Sequence, residues 1–325
     1  MSAKTYNADS IQVLEGLEAV RRRPAMYIGD TAEAGLHHLV YEVVDNSIDE
    51  AMAGFAHRVL VTIHVDESVT VADDGRGIPV GRHSDPKMGG KDALEVVMTT
   101  LHSGGKFDKD SYKMSAGLHG VGVSCVNALS GWLEAEVRRE GYVWRQRYER
   151  GKPTGPVKRG EKSDATGTKI VFKADPEIFE VEEFDYATLA GRLRELAFLN
   201  AGLTIKLTDE RHGKADTFKF AGGLTEFVKH LNQSKTVLHS APIFFARERE
   251  VVTDRGQRES VAVECAIQYN DGYDERVRTY ANNIYTVGGG THLIGFRKAL
   301  TATINRHAKK LDLLKKIEEG LTGDD

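Results

Sequence analysis

The chain has 325 residues, 40% of them hydrophobic and 28% charged, with 44 Lys and Arg against 48 Asp and Glu for a formal net charge of −4. This is the composition of a globular protein with material for about two domains. It holds no apolar run of membrane-spanning length, and Cys125 and Cys265 alone make neither a disulfide framework nor a zinc cluster. Neither half has the strongly basic surface of a dedicated DNA binder, because residues 1–222 carry 29 Lys and Arg against 34 Asp and Glu and residues 223–325 carry 15 against 14. The start, Met1-Ser2-Ala3-Lys4-Thr5-Tyr6, lacks a signal-peptide run, and with so few cysteines a reducing cytoplasm is the expected location.

Residues 1–13 are polar and aperiodic and read as an arm, followed by a short helix near 10–23. A long helix is expected over Leu36–Ala53. Strands follow at Arg58–His64 and Ser68–Asp73, the second ending in the turn Asp73-Asp74-Gly75-Arg76-Gly77-Ile78-Pro79. Asp92–Leu101 reads as a helix, residues 103–123 as a Gly- and Ser-rich loop, and Val121–Leu129 as a helix. Strands are expected at Leu133–Arg138, Val143–Tyr148 and Thr168–Lys173, then a helix at Phe184–Phe198 and a strand at Thr204–Thr208. A second unit begins near Gly222, with a helix over Leu224–Asn232, strands around 243–252, 260–269 and 277–281, a helix from Thr291 to Ala308 and a helical tail over 309–321. Strands and helices without regular alternation indicate an α+β fold rather than a doubly wound sheet.

On the long helix, Glu42, Asn46 and Asp49 fall within roughly 60° of one another at about 100° per residue. Asp45 and Glu50 flank them, and Val40, Val43, Val44, Ile48 and Ala51 lie opposite. By itself this is an amphipathic helix with a solvated acidic face. The alternative is a metal and general-base site, since an amide oxygen suits Mg2+ and a carboxylate can take a proton from water. The turn after the second strand is either a hairpin with an acidic entry or a place where a flat ligand meets the main chain, with a carboxylate to receive an exocyclic amine. Gly117-Leu118-His119-Gly120-Val121-Gly122 leads into a helix and is either a flexible loop or a phosphate cradle of backbone N–H groups. No Gly-x-x-x-x-Gly-Lys-Ser/Thr run occurs, nor a glycine fingerprint placed for a dinucleotide. Thr166-Gly167-Thr168 reads alone as a turn.

In order, these four elements resemble the GHKL ATPases, the superfamily of gyrase, the large heat-shock chaperone ATPase, sensor histidine kinases and MutL. Within it the chain is similar to the gyrase B family of type IIA topoisomerases. The carrying stretches are Arg23-Pro24-Ala25-Met26-Tyr27-Ile28-Gly29, HHLVYEVVDN at 37–46, EVVDNSIDEA at 42–51, DDGRGIP, LHSGGKF at 101–107, GLHGVGVSCVNALS at 117–130, RLRELAFLN at 192–200 and GGTH at 289–292.

The resemblance implies a GHKL (Bergerat) two-layer α/β sandwich with a mixed sheet over residues 1–222, its N-terminal arm serving dimerisation, and an incomplete ribosomal-S5-like transducer domain over 223–325. It implies ATP and Mg2+ as cofactors. Glu42 would be the general base for the attacking water and Asn46 the Mg2+ ligand. Asp73 would accept the adenine amine, helped by Thr168 through a water. Arg76 would stack over the adenine edge and pair with Glu50, while Gly77, Ile78 and Pro79 line the base pocket. Lys106 and the backbone at Leu118, His119, Gly120, Val121 and Gly122 would hold the phosphates. Tyr112 would touch the nucleotide from a lid, and Tyr6 and Ile11 would reach a partner protomer. Asp73, Arg76, Arg139 and Thr168 would meet aminocoumarin inhibitors. Implied partners are DNA gyrase A and DNA itself in the full-length enzyme, and a second copy of the chain when ATP is bound.

The family's Gln-Thr-Lys loop, whose lysine reaches the γ-phosphate, has no counterpart in these residues. Gln233-Ser234-Lys235 comes too early and is expected at a helix end. The expectation is therefore ATP binding with feeble hydrolysis. Two other readings are a mismatch-repair ATPase, which would lack the RPAMYIG and GGTH segments, and a dimerisation module whose output is conformational.

Overall fold

A computed structural model describes residues 16–105, 120–253, 256–313 and 320–323. Two short helical pieces, α1 (Leu17–Arg22) and α2 (Ala25–Ile28), precede the long helix α3 (Glu33–Met52). Strands β1 (Arg58–Ile63) and β2 (Val69–Asp73) follow, then α4 (Ala93–Thr99) and α5 (Gly122–Leu129). The chain continues through β3 (Ser130–Arg139), β4 (Tyr142–Glu149), β5 (Lys152–Pro153), β6 (Lys158–Lys162), β7 (Gly167–Ala174), α6 (Tyr186–Leu199), β8 (Thr204–Asp209), β9 (Lys214–Phe218) and α7 (Leu224–Leu231).

Nine strands make one sheet in the order β5-β4-β3-β7-β2-β1-β8-β9, with β6 also paired to β4. β1 runs parallel to β8, with Val61 opposite Leu207, and antiparallel to β2, with Val61 opposite Val71. The sheet is therefore mixed, as the α+β expectation requires. Alternate residues of the central strands are buried: Val59, Val61 and Ile63 on β1, Leu133, Ala135 and Val137 on β3, Ile170 and Phe172 on β7. They form one core with the apolar stripes of three helices: Leu36, Leu39, Val40 and Val43 of α3, Val126 and Leu129 of α5, Leu189, Leu193 and Leu196 of α6. Each such side chain contributes about 1.5–3 kcal/mol by leaving water, and this shared burial is what fixes α3 and α5 against the sheet. Arg21 adds a tie, donating to the Ala128 carbonyl at 2.7 Å and to the buried Asp175 at 2.7 Å, where Arg150 also arrives at 3.1 Å.

By compactness the chain divides into residues 1–271 and 272–325. The first unit includes the antiparallel ribbon β10 (Ile243–Val252) and β11 (Arg258–Ile267), with Ile243 opposite Ile267. In the second, β12 (Tyr280–Ala281) and β13 (Ile284–Tyr285) turn on Asn282 and Asn283, both left-handed at φ 48° and 67°, the geometry of a tight type I′ hairpin. Helix α8 (Gly290–Lys310) follows.

Several expectations change. The arm, with Tyr6 and Ile11, lies outside the described residues, and the first helix is seen over Leu17–Arg22. Strands β6 and β9 have no counterpart among the expected elements: Lys158–Lys162 is exposed throughout and β9 buries only Phe218, so neither shows an apolar alternation. The strand expected over 277–281 reduces to two residues. The helical tail expected over 309–321 ends at Lys310 with a turn at 311–313, and residues 314–319 lie outside the described set. Lys235 donates its backbone N–H to the Asn232 carbonyl, in the turn that ends α7.

Candidate active site

Asp73 is the last residue of β2, and the glycine turn follows it directly. Its carboxylate accepts hydrogen bonds from three elements: Ser47 Oγ of α3 at 2.8 Å, Gly75 N at 3.0 Å and Thr168 N of β7 at 3.2 Å. Burial pushes its pKa above the ordinary carboxylate range, against the pull of these three donors. The neighbouring Asp74 does something else: Oδ1 accepts from the backbone of His57 and Arg58 at 2.7 and 2.8 Å, closing the start of β1. Of the two carboxylates that the sequence places side by side, one is a staple and the other faces the site. Gly167 permits this approach. A Cβ there would stand 2.2 Å from the Asp73 carbonyl oxygen, and its φ of +143° is one that other residues resist.

Arg76 pairs with Glu50, Nη2 to Oε1 at 2.8 Å and Nε to Oε2 at 3.1 Å, while its backbone N–H reaches Oε2 at 2.9 Å. The expected Glu50–Arg76 pair is thus present. Ile78 N donates to Thr168 Oγ1 at 3.3 Å, and Arg139 Nη1 donates to the Gly77 carbonyl at 2.7 Å. Gly77 and Ile78, the turn's middle, are therefore held from β7 and β3 at once; Pro79 beyond them is exposed.

Glu42 and Asn46 lie on the same helix as Ser47, about 7.5 Å of axial rise separating residue 42 from residue 47. Asn46 Nδ2 donates to the Glu42 carbonyl at 3.0 Å. Glu42 Oε1 lies 3.0 Å from His38 Nε2, one turn back. That hydrogen bond raises the His38 pKa. Helix α5 begins against this carboxylate: a Cβ on Gly122 would stand 2.0 Å from Glu42 Oε2. Only a residue without a side chain lets the helix start, with its unpaired N–H groups, come so close to an acid.

The site thus has a wall formed by one face of α3, with Asp73 at one end and the α5 start at the other. Val121, Gly122 and Gly120 are brought there, whereas Lys106, Tyr112, Leu118 and His119 lie outside the described residues. Asp49, grouped with Glu42 and Asn46 on a solvated face, is 1% exposed, because the fold covers α3 at its C-terminal end. Sequence reasoning gives no role to Ser47, and it reads Thr166-Gly167-Thr168 alone as a turn, with weight only as the last of the four ordered elements. Ser47 follows Asn46 directly, and its one signal is a small polar residue in a buried row.

An acid at a strand end, a facing helix with Glu and Asn one turn apart, and a glycine-bounded helix start define the GHKL class of ATPase folds. The family model for histidine kinase-, DNA gyrase B- and HSP90-like ATPases matches residues 31–178, and that for DNA gyrase B matches residues 223–325. The 43K ATPase domain of Thermus thermophilus gyrase B, solved in complex with an aminocoumarin, superposes with a TM-score of 0.78 at 42% identity, covering 95% of this chain and 77% of that one. DNA gyrase B of Clostridium acetobutylicum is 55% identical and that of Thermotoga maritima 54%, each over 98% of this chain and over 48% and 49% of the relative. The chain belongs to the DNA gyrase B family, through its ATPase domain. It spans about half the length of the curated relatives it matches. Among the described residues, no helix is long and apolar enough to cross a membrane.

Proposed function

We propose that this site binds ATP with Mg2+ and hydrolyses its γ-phosphate. In the full-length protein it would work in the cytoplasm with DNA gyrase A, driving ATP-dependent negative supercoiling of DNA by double-strand passage. The observation that carries the reading is the Asp73 carboxylate, oriented by Ser47, Gly75 and Thr168 on the same α3 face that brings Glu42 to the glycine start of α5. Asp73 receives the adenine amine. Guanine presents a carbonyl there, and two buried acceptors facing one another cost about 1–3 kcal/mol. Arg76 lies along the base edge, and Gly77, Ile78 and Pro79 line the base pocket. The backbone at Gly120, Val121 and Gly122, with Leu118, His119, Lys106 and Tyr112, surrounds the phosphates. Glu42 takes the proton of the attacking water. Asn46 offers a neutral oxygen of the kind Mg2+ prefers, and the ion supplies neutralisation of phosphate charge.

The division into a nucleotide domain over 1–222 and a transducer from 223 is part of this proposal, supported by the second family match beginning at residue 223. So are dimerisation through the arm at Tyr6 and Ile11, and an aminocoumarin contact at Asp73, Arg76, Arg139 and Thr168, the inhibitor class bound in the Thermus structure. The 325 residues contain no Gln-Thr-Lys run. For this polypeptide alone, turnover is expected about 10²–10³ below that of a form supplying that cation.

The test is calorimetric titration with non-hydrolysable ATP and GTP analogues and Mg2+. The wild-type chain should bind the adenine analogue alone, and Asp73→Asn should weaken it by about 10- to 100-fold. Equal binding of both analogues, or an unaffected Asp73→Asn variant, would remove Asp73 from the recognition role.

A further inference from the structure

Phe55 lies three residues beyond the end of α3, outside every motif above. Its ring carries the Arg76 guanidinium, whose Cζ stands 3.9 Å from the ring centroid. Phe55 is nevertheless 46% exposed, so core packing does not explain where the ring sits. One residue organises the arrangement from both sides. The backbone carbonyl of Glu50 accepts from Phe55 N at 2.9 Å and Ala56 N at 3.1 Å, anchoring the chain that bears the ring. The carboxylate of the same Glu50 grips Arg76 in the guanidinium plane at 2.8 and 3.1 Å. An in-plane carboxylate fixes the position of a guanidinium but leaves it able to rock about the axis joining the two groups. A ring against one face removes that freedom.

We propose that Phe55 is a positioning residue for the nucleotide site, holding the Arg76 guanidinium flat so that a planar base or inhibitor ring can lie against it. The proposal rests on the reading of Arg76 as a base-edge contact. Phe55 acts through Arg76: it sets the angle of the cation, and its aromatic face rather than its bulk is what matters, because a cation is drawn to the negative face of an aromatic ring and not to an alkyl chain.

A mutant cycle tests this on the 325-residue chain, with a non-hydrolysable ATP analogue and Mg2+ titrated by calorimetry and thermal melting run alongside. Phe55→Ala and Phe55→Leu are each expected to raise the dissociation constant about 2- to 5-fold, the scale of an exposed cation–π contact. Phe55→Tyr should restore wild-type affinity. Combined with Arg76→Ala, the Phe55→Ala change should add nothing further. Wild-type affinity in Phe55→Leu, or additive losses in the double variant, would overturn the positioning role while leaving Arg76 in place. If Arg76→Ala itself bound at wild-type affinity, the base-edge reading would fall, and this inference with it.

Discussion

Asp73 accepts hydrogen bonds from α3, from its own turn and from β7, whereas Glu42, further along the same wall, is met by a histidine of its own helix and by the space left where Gly122 has no side chain. The Asp73 end of the site is cross-braced by elements far apart in the chain, and Arg76 beside it is held by Glu50 and Phe55. Among the described residues, the Glu42 end is met from α3 itself and from the start of α5. Under the proposed reading, the end that recognises the base is thus organised by the fold before any ligand arrives. Such bracing suits the recognition of a rigid, planar group, because the ordering cost is met by the fold rather than at binding.

Substitutions at the two ends should separate these properties. The largest effect is expected at Glu42→Ala, which should lower turnover by about 10²- to 10⁴-fold, the share of a positioned general base, with analogue binding preserved in calorimetry. Normal turnover would place the base elsewhere. Asp73→Asn comes next and shows the reverse pattern, an affinity loss of about 10- to 100-fold: the amide would turn an N–H toward the adenine amine. Gly122→Ala is subtler. Its backbone is not in the left-handed region, so the fold should survive, but the new methyl must displace the Glu42 carboxylate. Turnover should fall about 10-fold, equivalent to about 1.4 kcal/mol of barrier, with the melting temperature lowered by only a few degrees. A variant with full activity would mean that this closeness is incidental.

The smallest effect is in pH. Burial raises the Asp73 pKa, so its proton is bound more tightly in the folded state. Taken alone, this group stabilises the fold below the ordinary carboxylate pKa, and that contribution is lost as pH rises through the raised value. Nucleotide affinity runs the other way, because protonation removes the acceptor, so binding should weaken as pH falls toward that value. Melting and calorimetry between about pH 4 and 7 on the wild type and on Asp73→Asn would show the opposed slopes vanish together in the variant. Parallel slopes would mean that some other group controls both.

Much of this is legible in residue order. The glycine turn after β2, the Glu-x-x-x-Asn helix and the glycine-rich lead into α5 all carry local signals, because turns and helix starts are decided by residues a few positions apart. β6 and β9 carry none: their pairing comes from neighbours in the sheet, not from their own pattern. Ser47 and Phe55 are equally silent, since a lone serine or phenylalanine becomes part of a site only when a distant segment folds against it.

Along the chain, the spacing of apolar residues was enough to specify α3 and the central strands, and the choice of glycine and acid was enough to mark where a site could form. Which acid serves was decided in three dimensions. Asp73 and Asp74 are adjacent and chemically identical; one points toward Ser47 and Thr168, the other toward the backbone at His57 and Arg58. Successive side chains of an extended segment face opposite ways, and only the elements packed on each side determine which of the two is held against α3 and β7 and which closes the start of β1.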